Sequence, residues 1–242
     1  MSDPVALRPA RREDLLGLPA EVAPRLLGGT LTTIVHDDTV VVRLTEVEAY
    51  HGRGTGPTPD LGSHARMGRT ARNATMWGEP GHLYVYLSHG IHSCVNVVCG
   101  PGGVAGGILL RAAEVMEGTD AAARRRPAAR TARDLARGPG RLGDAVGLRH
   151  PIHDGIDAIT GEPRHGAVAR LSLRVEPLTG IATGPRVGVA GEAGTALFPW
   201  RFWIAGDPSV SAFRWGRGAA EAAGVASGEA RRGKGDTPPV LD

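Results

Sequence analysis

Lysine is almost missing from this 242-residue chain: of its 28 basic residues only Lys234 is one. Chemistry that forms a Schiff base needs an amine, and Lys234 lies in a stretch of Ala, Gly, Glu and Arg with little to bury. The N-terminal amine is the remaining formal candidate. Cysteine is nearly as scarce. Cys94 and Cys99 sit in or beside an apolar run, which suits core residues in a reducing compartment and excludes a disulfide framework. No His/Cys spacing matches a structural metal site, so neither metal nor cofactor is expected. No apolar run approaches the ~18 residues of a bilayer span, and no segment repeats. The N-terminal MSDPVALRPARRED has acids among its arginines and lacks the apolar middle of a secretion signal, so a cytoplasmic protein is expected. Aromatic residues make up only 4%, which makes their placement informative.

The 41% hydrophobic and 22% charged content supports one folded domain with a sizeable core. The expected organisation is a flexible N-terminal arm over 1–10, a domain over 11–215 and a disordered tail over 216–242. Net charge is only +3, but residues 124–149 hold eight arginines against Asp134 and Asp144, a local excess of +6. Such a segment is either a solvated helix surface or a phosphate-facing one.

Periodicity and turn residues predict short helices over 11–18 and from Pro19 to Gly28, then a hairpin of 30–35 with 39–49 about His36-Asp37-Asp38. Residues 52–81 read as a long functional loop with a helical turn near 72–77. Strands follow over 83–88, 91–98 and 104–113, a helix over 119–137 interrupted at Pro127, a helix over 141–146, and strands over 171–175, 186–189 and 201–204. Consecutive strands with short breaks favour a mixed α/β (α+β) domain with a curved, mostly antiparallel sheet flanked by helices.

In LTEVEAYHG (44–52), a strict two-residue period puts Glu46, Glu48 and Tyr50 on the side of Val40, Val42 and Leu44. Read as an inward face, that side holds Glu48 near the core, where a carboxylate needs a partner. A strand-end Glu leaning into solvent is the alternative. Tyr84 and Tyr86 share one side of the 83–88 strand. With Tyr50 they are all the tyrosines of the chain, and they form either a slot for a flat ring or a buried pair with satisfied hydroxyls. Asn96, an amide in an apolar strand, needs a hydrogen-bond partner. Arg111 ends another apolar strand and needs a carboxylate or ordered water, with Glu48 the evident candidate.

The runs TEVEAYHG, SHARMGRTARNATMWGEPGHLYVYLSHGIHSCVNVV, GGILLRAAE, GPGRLGDAVGL and PRVGVAGEAG resemble the alkyladenine (3-methyladenine) DNA glycosylase family. They occur in its order and at its intervals, across roughly residues 10–212. The resemblance implies a monofunctional enzyme that flips alkylated or damaged purines out of duplex DNA and hydrolyses the N-glycosidic bond. It implies Glu48 as general base, Arg111 as the arginine holding the water, Tyr50 and Tyr86 as stacking rings, His64 at the pocket edge, and Asn96 opposing the amino group of guanine. The near absence of lysine suits simple hydrolysis without strand cleavage. Where the family has a tyrosine wedge, this chain reads His89-Gly90-Ile91-His92, so His89 and Ile91 stand at the DNA-wedge position with a smaller ring.

The expected partner is double-stranded DNA carrying damaged purines, bound by a monomer in the cytoplasm at the bacterial nucleoid, with no membrane and no metal. Arg66, Arg69, Arg72, Arg141 and Arg186 are candidate phosphate contacts. His51, His82, His150 and His153 have no assigned role. Two other classes use the same residues: a nucleosidase-type N-ribosyl hydrolase, and a damaged-DNA-binding protein without catalysis.

Overall fold

The computed structural model describes residues 6–55 and 59–225. Among them are ten strands: β1 (Leu7–Pro9), β2 (Thr30–Val35), β3 (Asp38–His51), β4 (His82–Ser88), β5 (His92–Val98), β6 (Gly106–Glu117), β7 (Ile156–Asp157), β8 (Ala167–Arg174), β9 (Ile181–Gly184) and β10 (Arg201–Ile204). All pair antiparallel in one sheet of order β1-β8-β2-β3-β6-β5-β4-β7. The long β3 uses one edge for β6 and shares the other between β2 and β10, and β9 adds to β10. The sheet curls until Leu171 N of β8 donates to Ala158 O beyond β7 at 2.8 Å. This is a mixed α/β single domain built on a curved antiparallel sheet.

Four helices flank it: α1 (Pro19–Leu26), α2 (Thr119–Arg125), α3 (Pro139–Val146) and α4 (Ala219–Ala222). Helix α1 begins with Pro at the first helical position, and the Glu21 carboxylate accepts from Leu18 N at 3.1 Å. Leu26 of α1 and Leu142 and Val146 of α3 join Val40, Val42, Leu44, Val85, Val95 and Leu110 in the main core. Helix α3 lies so close to β5 that a Cβ at Gly143 would collide with the Ser93 carbonyl oxygen, so only glycine fits there.

Bulges decide which side chains meet on the opposite face. The β3–β6 register shifts between Leu44 and Glu46 and again between Glu46 and Val47. Thr45 is therefore surplus on β3 and Arg111 on β6, and the two irregularities cancel. Core positions run Val40, Val42, Leu44 and then Val47, Ala49, so the alternation flips at Thr45. This corrects the strict two-residue reading: Glu46, Glu48 and Tyr50 face away from Val40, Val42 and Leu44. Both glutamates are nevertheless fully buried, because loops cover that face.

Other expectations shift as well. Residues 7–9, placed in the flexible arm, form β1 against β8, since Ala10 and the strand backbone find partners there. The first ten residues of the presumed tail, 216–225, pack α4 near Ala193 with Ala219, Ala220 and Val225 buried. The rest of the expected tail, 226–242, lies outside the described residues, as do positions 1–5. The segment 186–189 is not a strand; Arg186 is tied down by its side chain instead, and 181–184 forms β9. The helix expected over 119–137 stops at Arg125, just before Pro127. Both cysteines are buried and free.

Candidate active site

The face opposite the core carries Glu46, Glu48 and Tyr50 from β3, Tyr84 and Tyr86 from β4, Asn96 from β5 and Arg111 from β6. Glu48 is fully buried, and all of its hydrogen bonds come from neighbours on this face. Its Oε1 accepts from Val187 N at 2.6 Å; its Oε2 accepts from the Tyr50 hydroxyl at 2.8 Å and from Arg111 Nη1 at 3.4 Å. Burial, then the neighbouring Glu48 carboxylate, raises the Tyr50 pKa well above the ordinary tyrosine value, so this hydroxyl stays a donor.

Arg111 is 7% exposed. Its shorter bond is not to Glu48 but to Glu46, Nε to Oε1 at 3.0 Å. Arg201 Nε reaches the same Glu46 oxygen at 2.7 Å, while Ser211 N donates to Glu46 Oε2 at 2.8 Å. Burial alone would raise the Glu46 pKa; Arg111 and Arg201, with Ser211, outweigh it and hold the carboxyl below its usual range. For Arg111, burial pulls downward and Glu48 and Glu46 override it, so the guanidinium remains charged.

A second buried pair supports Tyr50. Asp60 takes two parallel bonds from Arg186, at 2.8 and 2.7 Å, and also accepts from His51 N and Gly62 N. The Arg186 guanidinium lies 4.5 Å from the Tyr50 ring centre and 5.0 Å from that of Trp200. Arg186 is fully buried, which removes it from the candidate phosphate contacts.

Tyr50, Gly62, His64, Met76, Tyr84, Tyr86 and Asn96 line a cleft of about 370 Å³, a space that includes open solvent at its mouth. Tyr84 and Tyr86 stack with ring centres 5.5 Å apart, and His64 meets the Tyr86 ring edge-on at 4.6 Å. Burial, followed by Asp154, pushes the Tyr84 pKa up to about 12. His64 moves the other way, lowered by partial burial and then by Arg72 and Arg66, so its ring favours the neutral form. The Asn96 side-chain NH2 is committed to Tyr84 O at 3.1 Å. The tyrosines thus serve both readings of the sequence: Tyr84 is buried, while Tyr86 and Tyr50 are only half-buried and border open space.

The cleft continues past Tyr86 and Arg111 toward the β4–β5 turn. There His89 and Gly90 both have positive φ, 51° and 72°, and Ile91 N bonds to Ser88 O at 3.0 Å, a two-residue turn for which glycine at the second position is well suited. His89 is exposed beside Ser88, and Ile91 is 70% exposed at the tip. From Arg111 the groove runs on between Arg137, Arg141 and Arg214, with no acidic residue in its lining. Arg66, Arg69 and Arg72 are exposed on the loop after His64. Among the described residues no group of three or more His, Cys, Asp or Glu is placed to hold a metal ion, and no helix is long and apolar enough to cross a membrane.

Glu46, Asp60, Met76, Arg137, Val187, Arg201, Ser211 and Arg214 were not legible as site residues. Arg201 had a signal, a charge inside the apolar run WRFWI that needs a partner as Arg111 does. Val187 acts through its backbone N–H and leaves none.

The methylpurine-DNA glycosylase family profile matches residues 15–208. Three relatives, each bearing the printed name "Putative 3-methyladenine DNA glycosylase", match most of the chain. The protein of Nocardia farcinica is 51% identical over 204 residues, covering 84% of this chain and 90% of its own. That of Leifsonia xyli subsp. xyli is 48% identical over 218 residues, 88% and 97% respectively. That of Streptomyces avermitilis is 45% identical over 206 residues, 85% and 92%.

Proposed function

Because the chain belongs to the methylpurine-DNA glycosylase family, and is therefore a DNA glycosylase that hydrolyses N-glycosyl bonds, we propose that it takes a flipped, damaged purine between Tyr50, Tyr86 and His64. Glu48 is the general base. The observation that carries this reading is the pairing of a fully buried carboxylate with an open aromatic cleft through one residue, Tyr50, which lines the cleft and bonds to Glu48. Base loss builds positive charge on the sugar, and a fixed carboxylate both removes a proton from water and stabilises that charge. Arg111 and the Val187 N–H hold the carboxylate so that little movement is needed when the water is deprotonated. Asn96, its NH2 fixed by Tyr84, stands at the slot wall against the exocyclic groups of the purine.

Flipping leaves a gap in the duplex. His89 and Ile91 project from the β4–β5 turn and fill it, the imidazole less completely than a larger ring and Ile91 with its apolar side chain. The backbone is gripped by Arg66, Arg69 and Arg72 on one side of the cleft and by Arg137, Arg141 and Arg214 on the other. The enzyme acts as a monomer on chromosomal DNA in the cytoplasm and uses neither metal nor cofactor.

Duplexes each carrying one alkylated purine, hypoxanthine or etheno adduct test the reading through release of free base. Release from at least one alkylpurine duplex and none from undamaged DNA is expected; a complete lack of release from every lesion, with folded protein, defeats it. Arg141→Ala should lower affinity for all duplexes alike and reduce the slope of log K against log salt by roughly 0.9. An unchanged slope removes Arg141 from the phosphate contacts.

A further inference from the structure

Glu46 touches neither the aromatic cleft nor the DNA-facing groove, yet it is fully buried and accepts three hydrogen bonds. Three bonds converge on Glu46, Arg111 Nε and Arg201 Nε on one oxygen and Ser211 N on the other, and Arg111 Nη2 also reaches Ser211 Oγ at 3.3 Å. Arg201 is held in turn, with Nη2 on Ser211 O at 2.9 Å and its guanidinium 4.4 Å from the Trp203 ring centre. The surplus residue on each of β3 and β6 brings Glu46 and Arg111 to the same level. The outcome is an asymmetric contact for Arg111, close to Glu46 and at a longer 3.4 Å from Glu48.

We propose that Glu46 is a positioning residue that draws Arg111 back from Glu48 and so keeps Glu48 basic enough to deprotonate water. The inference rests on the reading of Glu48 as the base. An arginine in full contact with a carboxylate stabilises its charged form and makes it a weaker base. Arg111 is the third and longest of the contacts that orient Glu48, after Val187 N and the Tyr50 hydroxyl. A second carboxylate that takes the shorter hydrogen bond of Arg111 shares its charge and limits the loss of basicity. The other charged or titratable groups facing Glu48 are Tyr50 on its own strand, Tyr86 from β4, Arg186 from the 185–190 segment and Arg201, which is opposite Glu48 in the β10 register. Tyr50 and Tyr86 remain neutral, since burial raises both pKa values. Arg186 is engaged by Asp60, and Arg201 by Glu46 and the Ser211 carbonyl, whereas Arg111 already donates to Glu48 as well as to Glu46.

The test is the pH profile of single-turnover base release. The wild-type rate should rise with pH through an acid limb set by Glu48, and Glu48→Gln should abolish that limb. In Glu46→Gln, Arg111 closes on Glu48, so the limb should move to lower pH by on the order of one unit. The plateau should fall on the order of 3- to 10-fold, because a weaker base transfers the proton less readily. Glu46→Gln removes the carboxylate that the buried Arg201 Nε donates to, which threatens folding. The double variant Glu46→Gln/Arg201→Met removes a charge pair at similar volume and should show the same displacement. An acid limb that stays in place or moves to higher pH in the folded variant, with the wild-type limb still dependent on Glu48, overturns the role of Glu46 alone. Persistence of the limb in Glu48→Gln overturns the assignment of the base itself.

Discussion

Glu48→Gln is expected to reduce base release by on the order of 10²- to 10⁴-fold, the usual contribution of a positioned general base, while binding to lesion-bearing duplex changes little. The substitution keeps the shape of the side chain. One amide oxygen can still accept from Val187 N, and the Tyr50 hydroxyl, which donates to Glu48 at 2.8 Å, can rotate to accept from the new NH2. The change therefore removes the proton acceptor and leaves the aromatic cleft in place. Base release measured under single-turnover conditions, alongside duplex affinity, separates three outcomes. Loss of release with retained affinity supports the base. Normal release refutes it, and joint loss of both points to a collapsed cleft. The same measurement divides an enzyme from a damaged-DNA-binding protein, because only the enzyme has release to lose. A nucleosidase would instead act on the free nucleoside, which has no use for the arginine-lined groove beside Arg111.

The largest effect on stability is expected at Asp60. Asp60→Asn keeps the size but leaves the fully buried Arg186 without its bidentate partner and weakens the acceptor for His51 N and Gly62 N. Breaking one side of a buried ion pair costs about 3–5 kcal/mol, which for a domain of this length lowers the thermal midpoint on the order of 10 °C. Replacing both partners, as Asp60→Asn/Arg186→Met, should recover part of the loss, because the uncompensated charge is gone. A drop of less than about 2 °C in thermal unfolding of the single variant would contradict this account. Activity should suffer with stability, since Arg186 lies against the Tyr50 ring. The double variant isolates that contribution: its stability recovers but its cation–π support does not.

The sheet and most of its strands could be read from alternation and turn residues, because those signals are local. The hairpin of β2 and β3 turns at His36 and Asp37, where positive φ values match a two-residue turn, and the 82–98 hairpin turns at His89-Gly90. What misled was the assumption of an unbroken period through Thr45. A bulge is set by the partner strand, in this case by the extra residue at Arg111, and nothing within LTEVEAYHG announces it. The reading of 186–189 as a strand failed for a related reason. Val187 and Val189 have strand-like chemistry, but Arg186 is committed to Asp60, more than a hundred residues earlier, and Gly188 takes a positive φ. Such long-range electrostatic ties have no periodicity to detect. Glu48, Tyr50, Tyr86, Asn96 and Arg111, which the fold brings to one face, were legible as candidates because each is an oddity in its surroundings, a polar or aromatic group in an apolar strand. Their supporting residues are ordinary where they stand in the sequence and become informative only through contact.

Three buried acids, Glu46, Glu48 and Asp60, stand against three buried guanidinium groups, Arg111, Arg186 and Arg201. In their ordinary ionic forms these sum to zero. An enclosure of this kind brings no net charge of its own to bear on a cationic purine, so any attraction in the proposed reading comes from how near each group stands to the base. On the proposed reading, discrimination then rests also on fit and ring stacking inside the cleft, terms that apply alike to a methylated, positively charged base and to an uncharged lesion.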